Sequence, residues 1–357
     1  MKNLLKGNKV SLVACGLLLS SSFAFGADSV DAAFKEGKVS GSLTAYGIFT
    51  DNKSGIANTD EGFGTINLAY ETASYMGVSA KAGFAAGHAI DDAELENDAL
   101  MTEAYIKYAN DMFSITGGRQ AIDLEWMGDY HEAVVAAITA IPDTTIVLGY
   151  TNQIAFADED EISDFTQVNG NNGAYVVDAK YAGLEGIEFN PYYYSAPDLA
   201  SWYGLKTTFT ADMFGALAHY AASNEDTQDD GSMLALELNT SVSDVSLAVG
   251  YIMTDKDGGI GSMAAVGDNY EPMDDGSAIY MADAKMVYGS VGYSIAGVDL
   301  GALYSQTKIN SDKENELNLT AGYSFTDSLS ASLLYADIDT EINTDKSYGS
   351  VLVAYTF

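Results

Sequence analysis

The chain has one cysteine, four prolines, a single arginine and three histidines in 357 residues. Cys15 lies in the leading apolar segment, so a processed chain has no thiol for a disulfide, a thiolate metal site or redox chemistry. Beyond residue 26 no stretch holds the roughly 20 consecutive apolar residues that a membrane-spanning helix needs. Basic residues are also scarce: 16 Lys and Arg face 51 Asp and Glu, for a net charge of −35. Nucleic acid is thereby excluded as a partner, because phosphate neutralisation requires clustered Lys and Arg. His88, His131 and His219 are far apart, and no Ser-His-acid spacing, nucleophile elbow or zinc signature accompanies them. This argues against a hydrolase, and no enzymatic activity and no cofactor is expected.

Export signals are present. Lys2, Lys6 and Lys9 precede the apolar run from Val10 to Phe25, and Ala24-Phe25-Gly26 offers small residues for signal-peptidase cleavage before Ala27. Leu12-Val13-Ala14-Cys15 also matches a lipoprotein box, but the apolar run continues past Cys15, which favours a signal peptide over residues 1–26. Its removal takes away three lysines and no acid, so the net charge moves from −35 to −38.

The remainder, residues 27–357, alternates apolar and polar residues. Gly349, Val351, Val353, Tyr355 and Phe357 interleave with Tyr348, Ser350, Leu352, Ala354 and Thr356. Alternation of this kind predicts strands at 39–50, 64–74, 78–87, 101–109, 112–119, 133–141, 144–154, 174–183, 186–195, 201–211, 214–223, 233–242, 245–254, 284–295, 298–308, 315–325, 328–337 and 347–357. Each is close to the ~9–11 residues that cross a bilayer at a tilt, and their number is even. Short turns such as Asn110-Asp111, Pro142-Asp143, Ser243-Asp244 and Ala296-Gly297 alternate with long acidic loops, as at 120–132, 155–173 and 255–283. That rhythm is expected of an all-β, antiparallel transmembrane barrel of eighteen strands in the outer membrane of a Gram-negative bacterium, with short periplasmic turns and long extracellular loops. Such a wall touches membrane lipid and lipopolysaccharide.

Charges inside the strands test this. Glu71, Lys81, Glu103, Lys107, Asp178, Lys180, Glu188, Lys206, Glu237 and Asp299 all fall on the parity opposite the apolar set, where they line a lumen. A Lys or Arg facing mid-bilayer costs roughly 2–4 kcal/mol, and the exceptions Lys285 and Lys308 lie at strand ends, where the cost fades. His219 has lumen parity, and His88 and His131 fall in predicted loops.

Eighteen strands enclose an aqueous channel unless something fills it. The third long loop mixes Ile122, Leu124, Trp126 and Met127 with acids and is expected to fold against the inner wall. Asp123, Glu125, Asp129 and Glu132 would then crowd the constriction. Arg119 enters this loop and would pin it through a forked carboxylate contact. Strict alternation from Phe113 and Ile115 points it outward, so that role requires a bulge at Gly117-Gly118; otherwise it meets lipid phosphate. The acid runs Asp158-Glu159-Asp160-Glu161 and Asp226…Asp229-Asp230 read as solvated rims, or as weak Ca2+ or Mg2+ sites without the spaced calcium-loop pattern.

The segment Ala33-Phe34-Lys35-Glu36-Gly37-Lys38-Val39-Ser40-Gly41, together with Gly118-Arg119-Gln120 and the strand count, resembles the Campylobacter-type major outer-membrane porins and, more distantly, the OprD-like uptake porins. The resemblance implies a homotrimeric, cation-preferring channel constricted by its third loop. OprD-like members carry a row of basic residues, of which Lys81, Lys107, Lys180 and Lys206 would be a reduced version. The expected function is passive diffusion of small hydrophilic solutes and ions. The alternatives are a substrate-specific uptake channel and a structural or adhesive surface barrel.

Overall fold

The computed structural model describes residues 26–357 except 54, 92, 268, 269 and 276. The predicted signal segment up to Phe25, with Cys15, lies outside the described residues. In chain order the strands are β1 Lys38–Asn52, β2 Thr59–Glu71, β3 Val78–Asp91, β4 Ala99–Ala109, β5 Phe113–Ala121, β6 Tyr130–Ile138 and β7 Thr144–Ala155. They continue as β8 Thr166–Gln167, β9 Ala174–Leu184, β10 Ile187–Ala196, β11 Ala200–Thr210, β12 Phe214–Glu225 and β13 Gly231–Val242. The last are β14 Val245–Thr254, β15 Ala284–Ile295, β16 Val298–Ile309, β17 Asp312–Ser324, β18 Leu329–Thr340 and β19 Lys346–Thr356.

Two-residue β8 only caps β7 inside a loop, pairing at Gln153↔Gln167 and Ile154↔Thr166, so eighteen strands form the wall. Each pairs antiparallel with its sequence neighbours, and β19 pairs with β1 from Ser42↔Thr356 to Asn52↔Lys346, closing the cylinder. Phe357 is held at the seam by reciprocal backbone bonds with Gly41, of 3.0 and 3.1 Å. Closure matters because bilayer hydrocarbon offers no partner to an open edge.

The alternation decides which face is which. Leu238, Val249, Val287 and Leu333 stand exposed on the outer surface, whereas Ser42, Thr44, Thr65 and Ser350 are buried inside. Of the outward aromatics, Phe49, Tyr108 and Tyr293 lie toward strand ends, where amphipathic rings meet the headgroups, whereas Phe84, Tyr220 and Tyr335 lie mid-strand. Several strands run further into the long-loop rim than their alternation predicts. Strand β2 starts at Thr59 because Thr59, Asp60 and Glu61 pair with Thr50, Phe49 and Ile48, and such polar ladder residues carry no lipid-facing signal. Strand β6 is displaced to Tyr130–Ile138 for the same reason, with His131 and Glu132 opposite Gln120 and Arg119.

One short helix, α1 (Val30–Lys35), precedes β1. Ser29 caps it, its Oγ accepting from Ala32 N at 3.1 Å, in the manner of an N-cap. Backbone bonds from Ala27 N to Ser74 O (2.8 Å) and from Ala73 N to Ala33 O (3.0 Å) tie it beneath the β2–β3 turn.

Candidate functional site

The lumen is not an open tube. A large apolar core occupies part of it, made from wall residues of β6 to β16 and from two inward-folded loops. The third loop, reduced to residues 122–129 because β5 and β6 extend at both sides, contributes Ile122, Leu124, Trp126 and Met127, all buried. A tight turn with Leu124 bridged to Met127 sets Trp126 at its tip. Its indole Nε1 donates to the Tyr192 hydroxyl at 2.9 Å, and that hydroxyl lies 2.8 Å from His219 Nε2. The other infolded loop, 255–283, adds Ile260, Met263, Val266, Met273 and Ile279. It joins the third loop through Gly128 N to Val266 O at 3.3 Å, and the wall through Trp202 Nε1 to Ser262 Oγ at 3.0 Å. At its start, the amides of Gly258 and Asp257 donate to the Asp255 carboxylate at 3.0 and 2.8 Å and hold it below the usual carboxylate range.

This packing changes the role of the predicted constriction residues. Glu125 does not face a passage: it is buried, with its two oxygens 2.8 and 3.1 Å from Lys206 Nζ on β11. A carboxylate beside Trp126 and Tyr192 loses its water and needs a paired cation. Arg119 and Glu132 lie in strands, not in the loop, directly opposite each other, with Nε to Oε2 at 3.5 Å. The register through Gly117 and Gly118 is unbroken on both sides, so the bulge expected there does not form. The ladder irregularities fall instead at Gly83/Ala85, Glu132/Ala133 and Ile187/Phe189. The Arg119 guanidinium stacks over Phe165, 4.2 Å from the ring centroid, and so meets the loop after β7, not the third loop. Gly118, at φ +125°, brings its backbone so close to Ala104 O that a side chain has no room. Asp123 borders a small recess with Lys107 and Thr116, and Asp129 occupies a left-handed turn position. None of these five residues lines the cavity of about 460 Å3 on the side of β1 and β19.

The other lumen charges are mostly held in pairs. Lys81 meets Glu103 at 2.7 Å. Asp178 accepts from Asn190 Nδ2 at 2.7 Å and from the Tyr194 hydroxyl at 2.8 Å, and Glu237 accepts from the Tyr288 hydroxyl at 2.7 Å. Lys180 and Glu188 lie half-buried toward the short-turn end. His88 and His131 sit in strands instead of loops; His131 is buried in contact with Gly128 O (2.6 Å) and Thr151 Oγ1 (3.0 Å).

The cavity of about 460 Å3 lies to one side, lined from β1 and β14–β19. Of its charged lining residues, the sequence pattern placed only Asp299 in the lumen. Glu159 and Asp160 reach it from the loop after β7, and Asp274 and Asp275 from the loop after β14. Asp299 joins them from the wall, and Lys346 is the one base among the described lining residues. Lys346 Nζ is 2.8 Å from Asp275 Oδ2, and the Tyr348 hydroxyl donates to Asp274. Asp275 N donates to Glu316 Oε1 at 3.0 Å, fixing this loop to β17. The acid run read as a solvated rim is therefore folded inward. Within it Asp158 is pushed up to about 8 by burial, with the nearby Glu159, Asp160, Asp129 and Glu161 charges adding to the effect. No group of three or more potential metal ligands occurs among the described residues.

With fold and lining in view, the comparisons decide the family. Residues 28–213, more than half of the chain, match the family model described as "Putative outer membrane protein" (HP_OMP_2). The chain belongs to that outer-membrane protein family. No curated relative matches it in sequence. Among solved structures it is similar to OccK8 (OprE) of Pseudomonas aeruginosa, with a TM-score of 0.78 and 15% identity over 91% of this chain and 99% of that one. OccAB4 of Acinetobacter baumannii gives 0.75 and 15% over 90% and 98%. P. aeruginosa OpdK with vanillate gives 0.78 and 13% over 91% and 99%. The protein is thus an outer-membrane β-barrel of the OprD/Occ porin fold.

Proposed function

We propose that this barrel is a substrate-specific uptake channel that prefers cations, in place of the unselective diffusion pore expected from strand number alone. The observation that carries the reading is the cavity that the inward loops leave, with five carboxylates and one lysine on its lining; in this reading it is the solute's passage. Clefts lined by one sign of charge concentrate the opposite ion. The Occ likeness supports a specific channel, but the sign is this chain's own. One neighbour's structure contains vanillate, an anion, whereas here the lining is acidic and two of the four lysines of the basic row are tied up, Lys81 by Glu103 and Lys206 by Glu125. Assembly as a homotrimer among lipid and lipopolysaccharide, as the likeness to Campylobacter-type porins implies, belongs to the same reading. Purified protein in planar bilayers tests it. A KCl gradient should give a cation-selective reversal potential, and cationic solutes should produce saturable block. Anion selectivity, or ohmic current that no solute blocks, would refute it.

A further inference from the structure

The passage has a second chemical character that its acids do not explain. At one level of the wall, Ile48 of β1 and Leu334 of β18 both lie opposite Ser350 of β19, so the three share a row facing the cavity. In the next row Leu352 lies opposite Tyr46. These positions share lumen parity with Ser42 and Thr44, where the same wall carries hydroxyls. Water passage gains nothing from aliphatic groups at this level, and leaving them wet is unfavourable. Tyr348 links the two characters: with Ala336 and Ile338 it forms the cluster against which Ile48 and Leu334 pack, and its hydroxyl bonds Asp274 on the acidic side.

From this two-sided lining we infer that the preferred solute is an amphipathic organic ammonium, with an aromatic or alkyl body that covers Ile48 and Leu334 while its cationic head faces the loop carboxylates. The inference rests on the channel reading above and adds the apolar half of the solute. The cavity of about 460 Å3 lies within the ~300–1,000 Å3 usual for small-molecule sites. A small hydrophilic cation satisfies only the acids, and an aromatic anion only the apolar row.

Single-channel recording on the full barrel separates these cases with three probes: phenethylammonium, ethanolammonium and phenylacetate. Phenethylammonium is expected to block half-maximally at a concentration at least tenfold below ethanolammonium, with phenylacetate giving no block from either side. Leu334→Ser and, independently, Ile48→Thr should each bring the two amines within about threefold of each other, and the channel insertions themselves report that each variant has folded. Equal block by the two amines in the natural protein, or an undiminished preference in both variants, overturns this inference while the channel reading stands. Absence of any conductance overturns the channel reading and this inference with it.

Discussion

Replacing Lys206 by methionine probes whether the third loop is held by charge or by apolar packing alone. Lys206 Nζ contacts both oxygens of Glu125, and the two side chains are 18% and 7% exposed. At 2.8 Å and an effective dielectric near 20 the attraction is about 6 kcal/mol, before the desolvation of both groups is set against it. Removing only the lysine leaves a buried, uncompensated carboxylate beside Trp126 and Tyr192, which costs about 3–5 kcal/mol. The double variant Glu125→Gln/Lys206→Met removes that charge as well and should recover at least half of the loss. The assay is equilibrium urea unfolding of the refolded barrel in lipid, read as a double-mutant cycle, with single-channel noise as a second readout of loop mobility. Lys35→Ala serves as the control, because the Lys35–Asp31 pair is 75% and 82% exposed and such pairs contribute ~0–1 kcal/mol. A Lys206→Met midpoint no lower than that of the Lys35→Ala control would refute the electrostatic latch, as would a double variant as unstable as the single one.

The loop after β7 should respond to pH. Because burial raises the Asp158 carboxyl to about 8, its docked form carries a proton, so docking is strongest below the ordinary carboxylate value of ~3.9 and weakens as pH climbs from there to about 8. Amide exchange over residues 156–165, corrected for intrinsic rate, should therefore be faster at high pH than at low pH, and Asp158→Asn should flatten the profile; a flat profile in the natural protein contradicts it. On the outer wall, Val249 is 59% exposed at the middle of β14, so Val249→Arg should destabilise the inserted barrel by ~2–4 kcal/mol. Urea midpoints in lipid measure this, and an unchanged midpoint would place Val249 away from hydrocarbon.

The cylinder was legible in the sequence because its lipid face obeys one rule around the ring: apolar residues at every second position, with in-strand charges on the other parity. Glu103, Lys206 and Glu237 follow that rule, and their place on the lumen side needed no knowledge of partners. The infolding of the third loop was legible too, since Ile122, Leu124, Trp126 and Met127 are out of place in a solvated tip. The same criterion applied to 255–283 would have exposed Ile260, Met263, Val266 and Met273, and with them the loop that carries Asp274 and Asp275 to the passage. Length and charge disguised it as decoration. The fate of individual acids was not legible, because it depends on which element lies opposite. Glu125 meets a lysine 81 residues away, and Glu132 meets the arginine expected to hold the loop. No local spacing encodes those encounters.

The two sides of the cylinder impose different orders of events on folding. Strands β1 and β17–β19 complete their hydrogen bonds once the seam closes, and their inner face then receives only polar contacts from the segment around Asp274 and Asp275. The opposite arc differs. Met233, Ala235, Ile252 and Met286 turn apolar groups inward and acquire neighbours only when residues 122–129 and 255–283 descend between them. Closing the wall and consolidating its interior are therefore separable steps. The second resembles the collapse of a soluble protein around its core, carried out inside a container that the first step has built.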